Sequence, residues 1–342
     1  MNAEQLQQVA KAMVERGKGI LAADESSGTI KKRFDVIGVE STETSRRDYR
    51  EMMFRTPAMK DYISGVILYD ETIRQKAADG TPLPKIIESM GAIPGIKVDA
   101  GTNPLPSCPG ETITEGLDGL DKRLAEYYAL GARFAKWRAV IDIGREPMMP
   151  SYTAIMTNAN ALARYAALCQ QANIVPIVEP EVLMDGDHDI DRCYQVTELT
   201  LKIVFEQLYL QRVMLEGMVL KPNMAIAGKK CPKQASVEEV AEKTVRLLKN
   251  CVPPAVPGIA FLSGGQTDEQ ATAHLSAMNA GYDLPWALTF SYGRALQAAP
   301  QKAWSGKTEN VAAGQRAFAH RARMNSLASI GQWQAKLEKE AA

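Results

Sequence analysis

Short apolar runs rich in Ile and Val recur along the chain, each ending in polar or charged residues and followed by a helical stretch. The runs are Gly19–Ser26, Gly65–Thr72, Ile93–Ala100, Arg133–Val140, Val175–Val182, Met218–Met224, Gly258–Gly265 and Trp286–Gly293. Most are separated by enough residues for one helix and two loops. Amphipathic stretches fill the gaps, such as Tyr152–Gln171 and Ser236–Leu248. The latter opens with a capping box in which Ser236 and Glu239 satisfy free amides at the helix start. Eight strands alternating with helices predict an α/β fold, a closed (β/α)8 TIM barrel of parallel strands inside a ring of helices. A doubly wound open sheet is the competing architecture. No Pro/Ser/Gly-rich linker interrupts the series, so residues 1–342 read as a single domain with a short N-terminal helix and a short C-terminal tail.

Composition narrows the function. Among 342 residues, 40 Lys+Arg balance 40 Asp+Glu, so no global positive field draws a nucleic acid. Any anionic ligand must be held by local charges in a pocket. Mean hydropathy is −0.20 and no long apolar run is present, which argues against a membrane span. The segment Met1–Lys11 is a polar amphipathic helix without a signal-peptide core, so the expected compartment is the cytoplasm. Five scattered cysteines without a C-x-x-C pair read as incidental thiols in a reducing compartment.

The polar residues gather at the C-terminal half of each run: Asp24, Asp70, Lys97, Lys136, Glu179, Lys221, Ser263 and Ser291. In a barrel of this type the βα loops converge there to build the site. Residues two apart share a strand face, so Lys136 and Arg138 point the same way, as do Glu179 and Glu181. Strand-end charges can also be plain solvated loop residues, but complementary charges on several strands form an active-site inventory. A lysine beside another lysine suits amine nucleophile chemistry, because desolvation and a neighbouring cation both disfavour the ammonium form. Asp24, Glu179 and Glu181 can shuttle the protons. A plain buried ion pair remains the alternative for Lys221. Leu262-Ser263-Gly264-Gly265 and Ser291-Tyr292-Gly293-Arg294 end strands seven and eight, where barrels commonly bind phosphate on backbone N–H groups and a helix start. Arg294 adds a planar donor fork. Ser26-Ser27-Gly28-Thr29 with Lys97 can hold a second anion.

Other patterns fail on context. Gly17-Lys18-Gly19-Ile20-Leu21-Ala22 matches a dinucleotide fingerprint but precedes a strand where that motif opens a helix. Asp185, Asp187, Asp189 and Asp191 mimic a calcium loop, yet Ile190 occupies the turn-glycine position and Val196 that of the bidentate Glu. An acidic helix start explains them better. His188, His274 and His320 lack a paired spacing, so no metal site is expected and no cofactor is implied.

Several segments together resemble class I fructose-bisphosphate aldolase: Leu21–Ser26, Gly95–Asp99, Phe134–Arg138, Pro176–Glu181, Leu220–Asn223, Phe261–Gln266 and Leu288–Arg294. The resemblance runs from about residue 4 to about residue 330. It implies reversible, metal-free cleavage of fructose 1,6-bisphosphate to dihydroxyacetone phosphate and glyceraldehyde 3-phosphate, on phosphorylated sugar substrates, by a homotetramer. By position, Lys221 is similar to the Schiff-base lysine, Glu179 to the general acid/base, and Glu181 to the residue that tunes its proton. Asp24 is similar to the carboxylate at the C4 hydroxyl, and Lys136 to the positive charge beside the reacting centre. Arg138 corresponds to a support for the sugar or a phosphate. Leu262, Ser263, Gly264, Ser291, Gly293 and Arg294 lie in the segments similar to the C1-phosphate side, while Ser26, Thr29, Arg33 and Lys97 resemble the C6-phosphate side. Thr29 stands where the family has serine, keeping the hydroxyl. Well-known members carry a tail ending in tyrosine that helps protonate the enamine carbon. Here Glu338-Lys339-Glu340-Ala341-Ala342 ends the sequence and no tyrosine follows Tyr292, which implies another donor, such as Glu179, a held water or Tyr292. Another Schiff-base barrel lyase of transaldolase type, or a non-catalytic scaffold on the same fold, remains a competing reading.

Overall fold

The computed structural model describes residues 1–144 and 149–339; the terminal Glu340, Ala341 and Ala342 lie outside the described residues. In chain order the strands are β1 (Gly19–Ala23), β2 (Ile63–Leu68), β3 (Ile93–Lys97), β4 (Thr102–Pro104), β5 (Thr112–Thr114), β6 (Phe134–Ile141), β7 (Val175–Val182), β8 (Val219–Leu220), β9 (Gly258–Phe261) and β10 (Ala287–Tyr292). Eight of them close a barrel in the order β1-β10-β9-β8-β7-β6-β3-β2, every pair parallel. This is the closed barrel that the alternation predicts, and each of the eight apolar runs supplies one strand. The open sheet is excluded by the β1–β10 pairing, Ile20 beside Ser291 and Leu21 beside Tyr292.

Two strands go unforeseen. β4 and β5 form an antiparallel hairpin in the connection after β3. At three residues each, Thr-Asn-Pro and Thr-Ile-Thr carry no apolar alternation long enough to read. Gly116 lies just beyond this hairpin at φ +124°, and a Cβ there would sit 2.8 Å from the Ala100 backbone nitrogen. The expected strand Met218–Met224 shrinks to Val219–Leu220. Pro222 has no N–H with which to continue the ladder.

The helices follow their caps. Tyr152–Gln171 is helical over its full expected range, behind an N-cap Ser151. The second expected helix spans Val237–Cys251, and Ser236 accepts from the Glu239 N–H as its N-cap. Glu239 does not complete the box; its carboxylate turns to Lys243 at 3.2 Å instead. Asp189 caps Ile190–Leu210 with Asp191 in the first turn, the acidic helix start read from the sequence.

Alternation sorts each barrel strand into an inward and an outward column. The inward columns read Ile20-Ala22, Phe134-Lys136-Arg138, Val175-Ile177-Glu179-Glu181 and Val219-Lys221, apolar below and charged above. Ile20, Ala22, Phe134, Val175, Ile177, Val219 and Ala260 pack in one interior cluster with Leu6, Ala10 and Met13 of the helix Ala3–Met13, which seals the barrel floor. The Phe134 ring occupies the centre of this layer because Gly95 has no side chain; a Cβ there would lie 2.2 Å from the ring. The outward residues, Trp137, Val178 and Leu220 among them, form the larger cluster beneath the helices. The charged groups thus stand on a dry floor at the C-terminal mouth.

Candidate active site

A cavity of about 660 Å³ opens at that mouth. It is lined by Asp24, Lys136, Arg138, Glu179, Glu181 and Lys221, together with Ser26, Thr29, Arg33, Lys97, Leu262, Ser263, Gly264, Ser291, Gly293 and Arg294. These sixteen residues, to which the sequence gave catalytic or phosphate roles, therefore face one space.

At its base lies a chain of alternating charge. Lys221, 4% exposed, has its Nζ 3.3 Å from Glu179 Oε1, while Lys136 Nζ lies 3.3 Å from Glu179 Oε2 and 3.0 Å from Asp24 Oδ2. Strand register produces this order. Lys136 is level with Ile177 on β7, so its long side chain rises to the level of Glu179, and β8 delivers Lys221 from the other side. Burial opposes ionisation of Asp24, but Lys136 at hydrogen-bond distance, with Lys221 and Lys97 behind it, outweighs burial and lowers the carboxyl to about 2. Lys136 is the mirror case: burial favours the neutral amine, yet Asp24, Glu179 and Asp99 raise its pKa above the usual lysine value. Lys136 is therefore a permanent cation. Lys221 has one carboxylate partner, Glu179 at 3.3 Å, where Lys136 has two.

The second carboxylate on β7, Glu181, pairs with Arg138 Nε. Its Oε1 lies 3.1 Å from where a Cβ on Gly264 would stand, so a side chain at 264 would crowd it.

Two clusters of groups able to bind an anion flank the charged base. Gly293 caps the helix Arg294–Trp304 without a side-chain bond, so the first N–H groups of that helix are free to meet an anion. Ser291 Oγ is buried without a partner beside it. Arg294 is exposed, its guanidinium on the Gln266 carbonyl. Opposite, Ser26 caps the helix Ser27–Val36, its Oγ 3.1 Å from Thr29 Oγ1. Arg33 pairs with the buried Glu25, and its Nη2 is 3.8 Å from where a Cβ on Gly293 would stand, so it reaches between the two clusters. Lys97 Nζ is held 2.7 Å from Asp99 Oδ1.

A family profile described as "Fructose-bisphosphate aldolase class-I" matches residues 5–342. The chain belongs to the class I fructose-bisphosphate aldolases. A "Probable fructose-bisphosphate aldolase class 1" from Xanthomonas campestris pv. campestris is 60% identical over 334 residues, 97% of this chain and 99% of the relative. The "Fructose-bisphosphate aldolase, cytoplasmic isozyme" of Spinacia oleracea is 54% identical over 319 residues, 93% of this chain and 88% of that one. A solved fructose-bisphosphate aldolase from Plasmodium falciparum, crystallised with TRAP and a small-molecule inhibitor, superposes with a TM-score of 0.96 at 49% identity, covering 97% of this chain and 96% of its own. The protein is thus a class I aldolase, a metal-independent lyase that cleaves fructose 1,6-bisphosphate reversibly to dihydroxyacetone phosphate and glyceraldehyde 3-phosphate. No helix among the described residues is long and apolar enough to cross a membrane.

Some expectations for the aldolase site need correction. Asp70 does not reach the cavity: the chain enters the helix Asp70–Arg74 directly after β2, which turns its carboxylate to Arg74 and to the Tyr127 hydroxyl, each at 2.9 Å. Tyr292 cannot donate a proton to substrate, because alternation on β10 sends Ser291 inward and Tyr292 outward. Its hydroxyl is buried against the Ala271 carbonyl at 3.1 Å, and burial raises its pKa. Other lining residues escaped the sequence reading, among them Glu25, Tyr69, Asp99 and Thr102. Asp99 carried a usable signal, two residues beyond Lys97 in the same sequence run, Ile93–Ala100. Tyr69, the one phenol among the described lining residues, carried none.

Proposed function

We propose that Lys221 is the nucleophile of the aldolase reaction, forming a Schiff base with the C2 ketone of the open-chain sugar. The observation that carries this reading is Glu179, buried and in contact with two lysines. Glu179 accepts the ammonium proton and returns a proton to the carbinolamine hydroxyl, which leaves as water. Glu181, two residues along the same strand and paired with Arg138, tunes that proton through its charge. In the resulting iminium ion, Asp24 removes the C4 hydroxyl proton, and its low pKa keeps it ionised for this step. The C3–C4 bond then breaks and its electron pair flows to the iminium nitrogen, giving the aldehyde and an enamine. Lys136 holds positive charge against the oxygen anion that develops. Protonation at C3 and hydrolysis of the imine release dihydroxyacetone phosphate and restore Lys221.

The phosphates fix the register of the sugar. The loop Leu262–Gly264 with Ser291, Gly293 and Arg294 takes the C1 phosphate. Ser26, Thr29 and Lys97 take the C6 phosphate, with Arg33 and Arg138 between cradle and sugar. We also read the chain as one domain and as a cytoplasmic homotetramer. One barrel spanning residues 19–292 supports the first. Exposed Leu199, Tyr209 and Leu210 on a single helix supply apolar area for subunit contact, and sedimentation as a monomer would overturn that reading.

Borohydride reduction in the presence of dihydroxyacetone phosphate and EDTA tests the nucleophile. Peptide mapping should place the reduced triose on Lys221, and the Lys221→Ala variant should trap none. Label on another lysine, or trapping that EDTA abolishes, would overturn the mechanism.

A further inference from the structure

We infer that Asn223 is a positioning residue for Lys221: its carboxamide ties the segment carrying the lysine to the end of the strand carrying Glu179. The β7–β8 ladder stops at Leu220, one residue before the nucleophile. The Lys221 N–H still donates to the Val178 carbonyl at 2.8 Å, but Pro222 has no N–H and the ladder cannot propagate. Residues 221–227 are nonetheless all buried. Backbone groups in such a segment, and at the strand end facing it, need partners other than water.

The Leu262 N–H reaches the Pro222 carbonyl and the Thr244 hydroxyl accepts from the Ala225 N–H, while Asn223, fully buried, serves the groups that face β7. Its Oδ1 accepts from the Val182 N–H at 3.0 Å, while Nδ2 donates to Thr197 Oγ1 and to the Met224 carbonyl, each at 3.1 Å. Val182 is three residues past Glu179 and one past Glu181, and Thr197 belongs to the helix Ile190–Leu210 behind both strands. One amide group thus joins the acid/base strand, the nucleophile segment and their supporting helix. The spacing it fixes is the 3.3 Å between Lys221 and Glu179. Misplacing reacting groups by about 1 Å costs roughly a hundredfold in rate.

The inference rests on the reading of Lys221 as the imine-forming residue, and the test separates the two. Two variants are compared with the parent well below their unfolding temperatures: Asn223→Ala, and Thr197→Val, which removes one hydrogen bond from the helix side without altering the loop. Asn223→Ala should lower kcat and the rate of borohydride-trapped imine formation by about tenfold to a hundredfold, with KM for fructose 1,6-bisphosphate within about threefold. Thr197→Val should show the same split more mildly, and it carries the test if Asn223→Ala does not fold. The double variant should fall no further than Asn223→Ala alone, because both changes break one contact. Parental trapping rates in folded variants would overturn the inference and leave Asn223 a stability residue only. A raised KM with unchanged kcat would also overturn it. A parental map with label away from Lys221 would instead sink the nucleophile assignment, whatever the variants do.

Discussion

Replacing Glu179 with glutamine removes one charge from the middle of a buried row and keeps its shape. At 3.3 Å from each lysine and an effective dielectric constant of about 20, each contact carries roughly 5 kcal/mol of gross attraction. Desolvation cancels much of this, and breaking a buried pair by removing one partner costs about 3–5 kcal/mol net. The burden falls on Lys221, since Lys136 keeps Asp24 at 3.0 Å. With an unfolding entropy of roughly 2.1 cal/mol/K per residue, a chain of 342 residues has about 0.7 kcal/mol/K, so the variant should melt about 4–7 °C lower. Its kcat should fall by about 10²–10⁴, the usual yield of a positioned general acid/base. KM should change little, because the phosphates bind elsewhere. Scanning calorimetry and steady-state cleavage kinetics measure both effects. The double variant Glu179→Leu/Lys221→Met separates charge from packing, since replacing a buried ion pair by apolar groups is often neutral or stabilising. It should recover most of the melting temperature while remaining inactive. A single variant as stable as the parent, or a double variant less stable than the single, would refute the view that Glu179 neutralises Lys221.

Asp24 should remain ionised in the folded protein to about pH 2, against 3.8 for a free side chain. Because its folded value is the lower one, the associated stability is complete above pH 3.8 and lost as pH falls through 2. A carboxyl ¹³C titration with a midpoint near 4 would contradict the Lys136 contact as described. Arg294→Ala should raise KM for fructose 1,6-bisphosphate by about ten- to a hundredfold, since a hydrogen bond to a charged group contributes roughly 1.5–3 kcal/mol. Unchanged kcat and KM would remove that residue from the C1-phosphate cradle.

What the sequence made legible follows from period and length. Residues such as Lys136, Arg138, Glu179 and Glu181 occupy long strands, where a two-residue period fixes which side chains share the interior, and their grouping could be read directly. Lys221 can be placed from the sequence facing Glu179 and Lys136 across the barrel, but the contact distances cannot, because its strand is two residues long and they depend on barrel closure. Asp70 departs from the strand pattern for a local reason: a helix begins there, so strand periodicity no longer sets its direction. The alternation that turns Ser291 into the cavity turns Tyr292 out of it, which removes Tyr292 as a donor. The β4–β5 hairpin, whose Thr102 reaches the cavity wall, was invisible because polar three-residue strands owe their pairing to tertiary anchors. One anchor is the Thr114 hydroxyl on the Arg138 carbonyl at 2.8 Å, and another is the Asn158 amide on the Thr112 carbonyl, also at 2.8 Å.

The seam between β1 and β10 dictates an order of events during synthesis. Near it, the Thr289 hydroxyl bonds to the Lys18 carbonyl across 271 residues of sequence. A ribosome making about 5–20 residues per second needs roughly a quarter-minute to a minute to cover that distance. Throughout that interval β1 has only β2 to pair with, and its other edge presents open backbone donors and acceptors. Such an edge is a template for pairing with foreign strands. The nascent chain therefore carries its greatest exposure to misassembly in its oldest strand, and only the last strand made can end it.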